Sequence, residues 1–225
     1  KYFSQDGILY DKDVKNFIHV PKKLSGNVMI PDSITNIPAC AFENCINLVS
    51  ISLGSGVTSI GDYAFSGCVS LIEILNKSDL NIVEGSSNNG FIAYYACNVY
   101  TPEYGESILV QNSEEDSFVF MCYKGCYYLV KYLGSNSKVS LPEYFSVGGC
   151  KISSYGIWDY AFYKCSALTS IALPDSVETV GMRAYYKCES METLDLGNGI
   201  TSIGEYAFSG CSSLKNITIP DSITH

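Results

Sequence analysis

Residues 173–218 consist of two consecutive stretches with the same pattern, LPDSVETVGMRAYYKCESMETLD (173–195) and LGNGITSIGEYAFSGCSSLKNIT (196–218). This 23-residue pattern places its aliphatic residues, its alanine, its aromatic residue and its cysteine at the same positions in both stretches. Self-similarity at a fixed period of this length is the sequence signature of a repeat protein. The chain is therefore expected to fold by stacking equivalent units rather than around one globular core.

The same pattern occurs in five copies, which cover residues 30–75 and 157–225. The consensus is I-P-x-S-[IV]-T-x-I-G-x-x-A-F-x-x-C-x-x-L-x-x-I-x, and consecutive cysteines within each run are one period apart. We predict that the aromatic residue and the cysteine of each copy form the structural core of the repeats: Phe42, Cys45, Phe65, Cys68, Phe162, Cys165, Tyr185, Cys188, Phe208 and Cys211.

The local chemistry of one unit predicts short, regular elements. The segment Leu-x-x-Ile-x-[IL], which ends at Pro or Gly, is typical of a short strand, and Ser-[IV]-Thr-x-Ile predicts a second extended piece. Gly61, Gly181 and Gly204 are expected to permit a turn, and Ala-Phe-x-x-Cys fits one or two turns of α or 3₁₀ helix. One unit cannot bury these apolar side chains alone, so we predict a mostly β (α/β) solenoid with like side chains stacked about 4.8 Å apart.

This pattern resembles the leucine-rich repeats of the Treponema pallidum type, as found in BspA-like surface proteins of bacteria and some protozoan parasites. The resemblance covers the five copies closely, and residues 76–96 resemble the irregular units common in that family. It implies a right-handed leucine-rich-repeat coil. It also implies cell-surface adhesins that contact extracellular-matrix proteins or other cells.

Two segments break the period and predict β-hairpins. Gly7–Tyr10 and Asn16–Val20 flank one polar turn, and Ser117–Met121 and Tyr127–Val130 flank another. We expect a hairpin cap over 1–29, repeats with an irregular unit over 30–100, a hairpin insertion within one continuous solenoid over 101–156, and further repeats over 157–225. Residues 143–156 are expected to be a loop insertion.

Composition and charge exclude several classes of function. Lys and Arg number 14 against 23 Asp and Glu, which gives a net charge of −9. No basic cluster exceeds Lys22-Lys23, so nucleic acid is not an expected partner. No apolar run approaches the length of a membrane-spanning helix, so we expect no membrane insertion. The chain begins at Lys1 without an initiator Met and ends within a repeat, which suggests a piece of a longer protein.

Candidate reactive groups favour a structural role. The cysteine column predicts buried, inert thiols, with disulfides or thiolate metal sites as the alternatives. Cys122 and Cys126 flank a tight turn, and a disulfide between them stays open. His19 and His225 lack a nucleophile or a second ligand, and the run Glu114–Asp116 lacks the spacing of a calcium loop. We therefore expect no catalytic residues, no metal and no cofactor.

The chain contains 18 tyrosines, including the pairs Tyr94-Tyr95, Tyr127-Tyr128 and Tyr185-Tyr186. Tyr185 takes the place of a core phenylalanine. The others either pack in the core or at its edge, or form a recognition surface.

Outward residues on the stacked strands predict a polar face suited to an extended partner. This predicted binding face comprises Ser50, Ser52, Glu73, Ser170, Ala172, Thr193, Asp195, Asn216 and Thr218. We predict a non-enzymatic, extracellular, monomeric module that binds host extracellular-matrix or cell-surface proteins. The alternative is a passive structural spacer that displays another domain of a longer surface protein. A third possibility, an enzyme or ligand carrier, needs a converging pocket that the pattern does not provide.

Overall fold

The computed structural model describes residues 2–101, 109–111 and 118–223, with the backbone alone at 109–111 and at 216. The acidic run Glu114–Asp116 and His225 lie outside the described residues. The chain divides into two compact units, residues 1–108 (unit 1) and 109–225 (unit 2).

Unit 1 starts with a small antiparallel sheet of order β1-β2-β3 and continues with two parallel sheets, β4-β6-β8-β9 and β5-β7. A short 3₁₀ helix covers Asn89–Phe91. The strands are β1 (Phe3–Gln5), β2 (Ile8–Tyr10), β3 (Phe17–His19), β4 (Ser25–Met29), β5 (Asn36–Ile37), β6 (Asn47–Leu53), β7 (Ser59–Ile60), β8 (Glu73–Asn76) and β9 (Asn98–Tyr100).

Unit 2 contains a sheet of order β10-β11-β12-β16-β18-β20, a parallel sheet of order β13-β17-β19-β21 and the pair β14-β15. The first three strands of the largest sheet are antiparallel, and the rest run parallel. The strands are β10 (Leu109–Gln111), β11 (Phe118–Tyr123), β12 (Cys126–Tyr132), β13 (Lys138–Ser140), β14 (Phe145–Val147), β15 (Cys150–Ile152), β16 (Tyr155–Ile157), β17 (Ser170–Ala172), β18 (Val177–Val180), β19 (Thr193–Asp195), β20 (Ser202–Ile203) and β21 (Asn216–Ile217).

The sheet register reproduces the sequence period. Ile37 lies opposite Ile60 in unit 1, and Val180 lies opposite Ile203 in unit 2, so the two residues of each pair are one period apart. The β-solenoid of stacked coils predicted from the period is confirmed. In each unit the coils contribute short strands to two sheets, within which strands of successive repeats run parallel, and a turn segment forms the remaining side.

One coil of unit 2 is longer than the period. Val139 lies opposite Ile171, which is well beyond one period along the chain. The extra residues hold a second hairpin, β14 and β15, and Gly148 and Gly149 form its turn with φ of 55° and 82°. The insertion predicted over 143–156 is present, but it contains a hairpin instead of a loop, because a Gly-Gly turn between two short β-prone runs favours a hairpin.

The helical turns predicted for the Ala-Phe-x-x-Cys segments do not form. Tyr160 and Lys164, which precede the Ala and the Cys of one copy, have φ of 59° and 57°, and the same two places have positive φ in all five copies. An α-helix needs an unbroken run of right-handed residues, so two left-handed residues within five rule it out. The segment is instead a series of i to i+3 turns, such as Tyr163 N–H to the Tyr160 carbonyl at 3.0 Å.

These turns also join one coil to the next. The N–H of Phe162 donates to the Ala184 carbonyl at 2.8 Å, and the N–H of Tyr185 donates to the Ala207 carbonyl at 2.8 Å. Alternate backbone groups on the turn side thus have partners in the following coil, as they would in a sheet. The ladder explains why the turn segment keeps its conformation without helical hydrogen bonds.

Aromatic rings of successive coils stack inside each unit. The rings of Phe42 and Phe65 are 4.8 Å apart and tilted by only 6°. In unit 2 the stack has centroid separations of 5.4, 4.7 and 5.5 Å, and it runs through Tyr132, Phe162, Tyr185 and Phe208. Apart from Phe208, which is partly buried, these rings are buried. The stack forms the centre of the core in each unit.

Three repeat glycines have a different role from the one expected. Gly61, Gly181 and Gly204 do not have positive φ. A Cβ on Gly204 would lie 2.5 Å from the Met182 nitrogen of the preceding coil, and one on Gly61 would lie 2.5 Å from the Ala39 nitrogen. Glycine is required here because two backbones approach closely, not because a turn needs its conformational freedom.

Candidate functional site

The cysteines of the repeats form a second internal column. The Sγ atoms of Cys68, Cys188 and Cys211 donate to the carbonyl of the aromatic residue one coil earlier, at 3.1, 3.0 and 3.2 Å. All ten cysteines of the chain are free thiols. Within the described residues, no group of three or more His, Cys, Asp or Glu side chains could hold a metal ion. The thiols of Cys68, Cys188 and Cys211 thus provide hydrogen-bond donors to backbone carbonyls inside the core.

The electrostatics of these thiols disfavours the thiolate at most positions. Burial raises the pKa of Cys45 to about 11 and also raises the pKa of Cys68. Hydrogen bonds with Cys165 and Cys211, together with burial, raise the pKa of Cys188. Cys165 differs, because its hydrogen bond with Cys188 and the nearby positive charge of Lys131 lower its pKa. A hydrogen bond with Cys188 also lowers the pKa of Cys211. An activated nucleophile needs both a depressed pKa and access, and of these two thiols Cys211 is buried and Cys165 is partly exposed.

Lys131 is a buried charge that the repeat pattern does not predict. Its side chain is completely buried, and within the described residues its Nζ atom has no hydrogen-bond partner. The neighbouring Tyr132 stacks on Phe162, so Lys131 occupies the place that Ala161 has in the next coil. Burial lowers the pKa of Lys131 to about 8.

The outward face of sheet β4-β6-β8-β9 in unit 1 contains a groove of about 250 Å³. Its register aligns Asn27, Ser50 and Glu73 in one row and Met29, Ser52, Leu75 and Tyr100 in the next. Three residues of the predicted binding face, Ser50, Ser52 and Glu73, line this groove. Sequence reasoning missed its other lining residues, although a 23-residue shift from Ser50 and Ser52 leads directly to Asn27, Met29 and Leu75.

The groove combines apolar and acidic groups. Met29 is 50% exposed, and Leu75, two strands away across Ser52, is half-buried. Glu73 is only 3% exposed, so it lies in the floor of the groove and not on an open surface as predicted. Asp6 lies at the rim, where its Oδ2 atom accepts a hydrogen bond from the Met29 N–H at 3.0 Å. Such a groove suits a side chain with an apolar stem and a positively charged end.

The remaining residues of the predicted binding face lie on sheet β13-β17-β19-β21 of unit 2. Ser170 pairs with Thr193, and Ala172 pairs with Asp195. The Thr193 hydroxyl donates to the Ser170 hydroxyl at 2.8 Å, and Asp195, Thr193 and Ala172 are exposed. Asn216 continues the row of Thr193 in the backbone register, and the exposed Thr218 directly follows β21. This face is a flat polar surface of small side chains.

Other predicted candidates lie apart from these faces. Cys122 pairs with Tyr127 and Cys126 pairs with Tyr123, so the two thiols are not opposite one another in the hairpin, and both are free. His19 is exposed on β3. No helix in the part of the chain that the structure describes is both long and apolar enough to cross a bilayer.

The stacked coils and the residues repeated in each of them are those of a leucine-rich-repeat solenoid. The model of the BspA type leucine rich repeat region matches six copies over residues 19–108 and 149–225. The chain belongs to this family, and the resemblance drawn from the 23-residue pattern is confirmed. No curated protein matches the chain.

Solved structures with similarity to the chain are bacterial leucine-rich-repeat proteins. One from Bacteroides capillosus is 28% identical over 52% of this chain and 86% of its own length, with a TM-score of 0.47. A leucine rich cell surface protein from Faecalibacterium prausnitzii is 18% identical over 100% of this chain and 84% of its own, with a TM-score of 0.46. The leucine-rich-repeat protein of T. pallidum is 24% identical over 87% and 80%, with a TM-score of 0.31.

Proposed function

We propose that the chain is a non-enzymatic protein-recognition module that acts outside the cell and binds host extracellular-matrix or cell-surface proteins. Family membership supports an interaction module, since BspA-like leucine-rich-repeat proteins are cell-surface proteins. The predicted binding face and the groove within it supply surfaces for such a partner. The proposed core thiols cap carbonyls, which is consistent with a structural role rather than a reaction centre.

The groove in unit 1 is the observation that supports this proposal most strongly. A stacked sheet presents rows of side chains at a constant spacing, which suits an extended protein segment. The groove adds a place where one anchoring side chain of the partner can be buried, and such central pockets supply most of the binding energy in protein interfaces. We propose that a lysine or arginine of the partner enters between Met29 and Leu75, toward the carboxylates of Glu73 and Asp6.

Binding of the purified chain to a panel of immobilised matrix proteins, measured by biolayer interferometry, tests the proposal. Ser50→Trp fills the groove, and we expect it to weaken binding about tenfold or more, the usual effect of blocking an interface pocket. Glu73→Gln keeps the volume of the side chain and removes its charge, so we expect a smaller loss. Ser59→Trp, on the exposed position of β7, is the matched control and should retain binding.

The same assay separates the two units and the two hypotheses. Asp195→Lys alters the exposed face of unit 2, and a loss of binding confined to this variant would place recognition there instead of in the groove. Binding to no member of the panel would favour the passive spacer. Binding that Ser50→Trp and Asp195→Lys leave unchanged would contradict both proposed surfaces.

A further inference from the structure

The turn side of unit 2 carries a cluster of tyrosines and positive charges that neither the repeat pattern nor the proposed function uses. Three positions recur in each turn segment: before the Ala, after the aromatic core residue, and before the Cys. In unit 2 the tyrosines and cations at these positions are exposed or partly exposed, except for the buried Tyr160. Across three successive coils, these positions place aromatic and cationic side chains next to one another. We call this the tyrosine–cation surface; it comprises Tyr160, Tyr163, Lys164, Arg183, Tyr186, Lys187 and Tyr206.

Arg183 lies at the centre of this surface. Its guanidinium carbon is 6.0 Å from the ring centroid of Tyr160, 5.9 Å from that of Tyr186 and 5.3 Å from that of Tyr206. Its Nη1 atom donates to the Tyr160 hydroxyl at 2.8 Å, which is its single side-chain hydrogen bond within the described residues. A guanidinium has five N–H donors in a planar fork, so most of its donor capacity is available to a ligand.

Two lysines extend the positive charge along the coils. Lys164 lies 5.1 Å from the ring centroid of Tyr163, and Lys187 lies 5.5 Å from that of Tyr186. The rings of Tyr163 and Tyr186 stack at 5.8 Å with an angle of 6° between them, so the aromatic base beneath the lysines is ordered. Both lysines are exposed, and Tyr206 is 60% exposed. The ammonium groups of both lysines thus lie over aromatic rings.

Charge distribution indicates what this surface would bind. The chain has a net charge of −9, yet among the described residues no carboxylate forms an ion pair with Arg183, Lys164 or Lys187. The acidic residues next to this surface in sequence are Glu205 beside Tyr206, Asp159 beside Tyr160, and Glu189 near Lys187. The Oδ1 atom of Asp159 already accepts a hydrogen bond from the Met182 N–H at 2.7 Å. Three cations on tyrosine rings, with no ion pair to a carboxylate of the described residues, provide a local electrostatic attraction for a negatively charged partner.

We propose that the tyrosine–cation surface of unit 2 binds an acidic, Asp- and Glu-rich segment of a partner protein. Tyrosine and arginine are the residues most enriched at the energetic centres of protein interfaces, and arginine clusters recognise acidic motifs. The two lysines lie one coil apart, so alternate carboxylates of an extended segment, which lie on one face, can each meet a cation. The inference rests on the proposed protein-recognition function only in taking a protein segment as the partner.

Fluorescence anisotropy of a fluorescein-labelled peptide of ten alternating Asp and Glu residues tests this proposal with the full purified chain. The matched peptide replaces these residues with Asn and Gln. We expect saturable binding of the acidic peptide in 20 mM salt, weakening of about tenfold in 200 mM salt, and no binding of the neutral peptide. The double variant Lys164→Gln/Lys187→Gln should weaken binding about tenfold, and adding Arg183→Gln should weaken it further.

Lys151→Gln is the matched control, because Lys151 also lies over a tyrosine ring, 4.1 Å from the centroid of Tyr144, but outside this surface. It should bind the acidic peptide as the unmodified chain does. Absence of saturable binding at low salt would overturn the proposal, as would equal losses in the control and the double variant. Binding of dextran sulfate without binding of the acidic peptide would also overturn it, in favour of a sulfated polysaccharide. These results are independent of Ser50→Trp, so failure of the groove proposal would be seen separately.

Discussion

Replacing Lys131 with methionine should make the protein more stable at neutral pH. Lys131 is completely buried at a place where other coils have alanine, and its Nζ atom has no hydrogen-bond partner among the described residues. A buried ammonium without a partner lacks the hydration that it has in the unfolded chain. Methionine has a similar length and flexibility, so it fills the same space without the charge.

The size of the effect follows from the pKa of Lys131, which burial lowers from 10.5 to about 8. One pKa unit corresponds to about 1.4 kcal/mol, so the charged form destabilises the folded state by about 3 kcal/mol. Between pH 8 and 10.5 the unfolded chain binds more protons at this site than the folded chain. The penalty is therefore fully present below pH 8 and disappears as the pH rises toward 10.5.

Urea unfolding at pH 7.0 and pH 9.5, followed by tyrosine fluorescence, measures this difference. We expect Lys131→Met to raise the free energy of unfolding by about 3 kcal/mol at pH 7.0 and by about 1.5 kcal/mol at pH 9.5. Lys138→Met, at an exposed position of β13, is the control and should change stability little at either pH. A Lys131→Met variant that is less stable than the original chain, or whose advantage grows with pH, would refute the reasoning.

Three further predictions concern the core. Tyr185→Phe should raise the free energy of unfolding by about 1 kcal/mol, because the buried Tyr185 hydroxyl has no partner in the described structure; a loss of stability in urea unfolding would contradict this. Gly204→Ala should lower the free energy of unfolding by about 2 kcal/mol, because the added Cβ would lie 2.5 Å from the Met182 nitrogen. An unchanged urea midpoint would contradict this, because it would mean that the two backbones can move apart at little cost. Iodoacetamide at pH 8, followed by mass spectrometry, should modify Cys165 before Cys188, because hydrogen bonding lowers the pKa of Cys165 and raises that of Cys188; the reverse order would contradict the assignment.

The sequence period was sufficient to predict the register. A side chain that recurs once in every period can be buried in every copy only if equivalent residues lie opposite one another, as Ile37 and Ile60 do. The conformation of the Ala-Phe-x-x-Cys turn segments could not be predicted from the sequence in the same way. Ala, Phe, Tyr and Lys are compatible with a helix, and nothing in their identity indicates that Lys164 has positive φ. That conformation follows from inter-coil hydrogen bonds, which are tertiary.

The sequence predicted some features of the candidate surfaces and missed others, because the missed features depend on tertiary contacts between coils. Alternation along a strand identifies Ser50 and Ser52 as outward residues, but it cannot show that Glu73, in the same row, is nearly buried. The tyrosine–cation surface depends on which residues of different coils lie side by side. Its components were visible in sequence as isolated tyrosines and cations, and only the stacking of coils brings Arg183 against three rings.

The stacking of like side chains can be tested most directly by NMR. With selectively labelled Phe and Tyr, nuclear Overhauser effects are measured between rings that are one period apart in sequence. Ring centroids at 4.7 Å for Phe162 and Tyr185 and at 4.8 Å for Phe42 and Phe65 predict strong cross-peaks for both pairs. Absence of these cross-peaks, with the rings in contact with unrelated residues, would contradict the stacked solenoid.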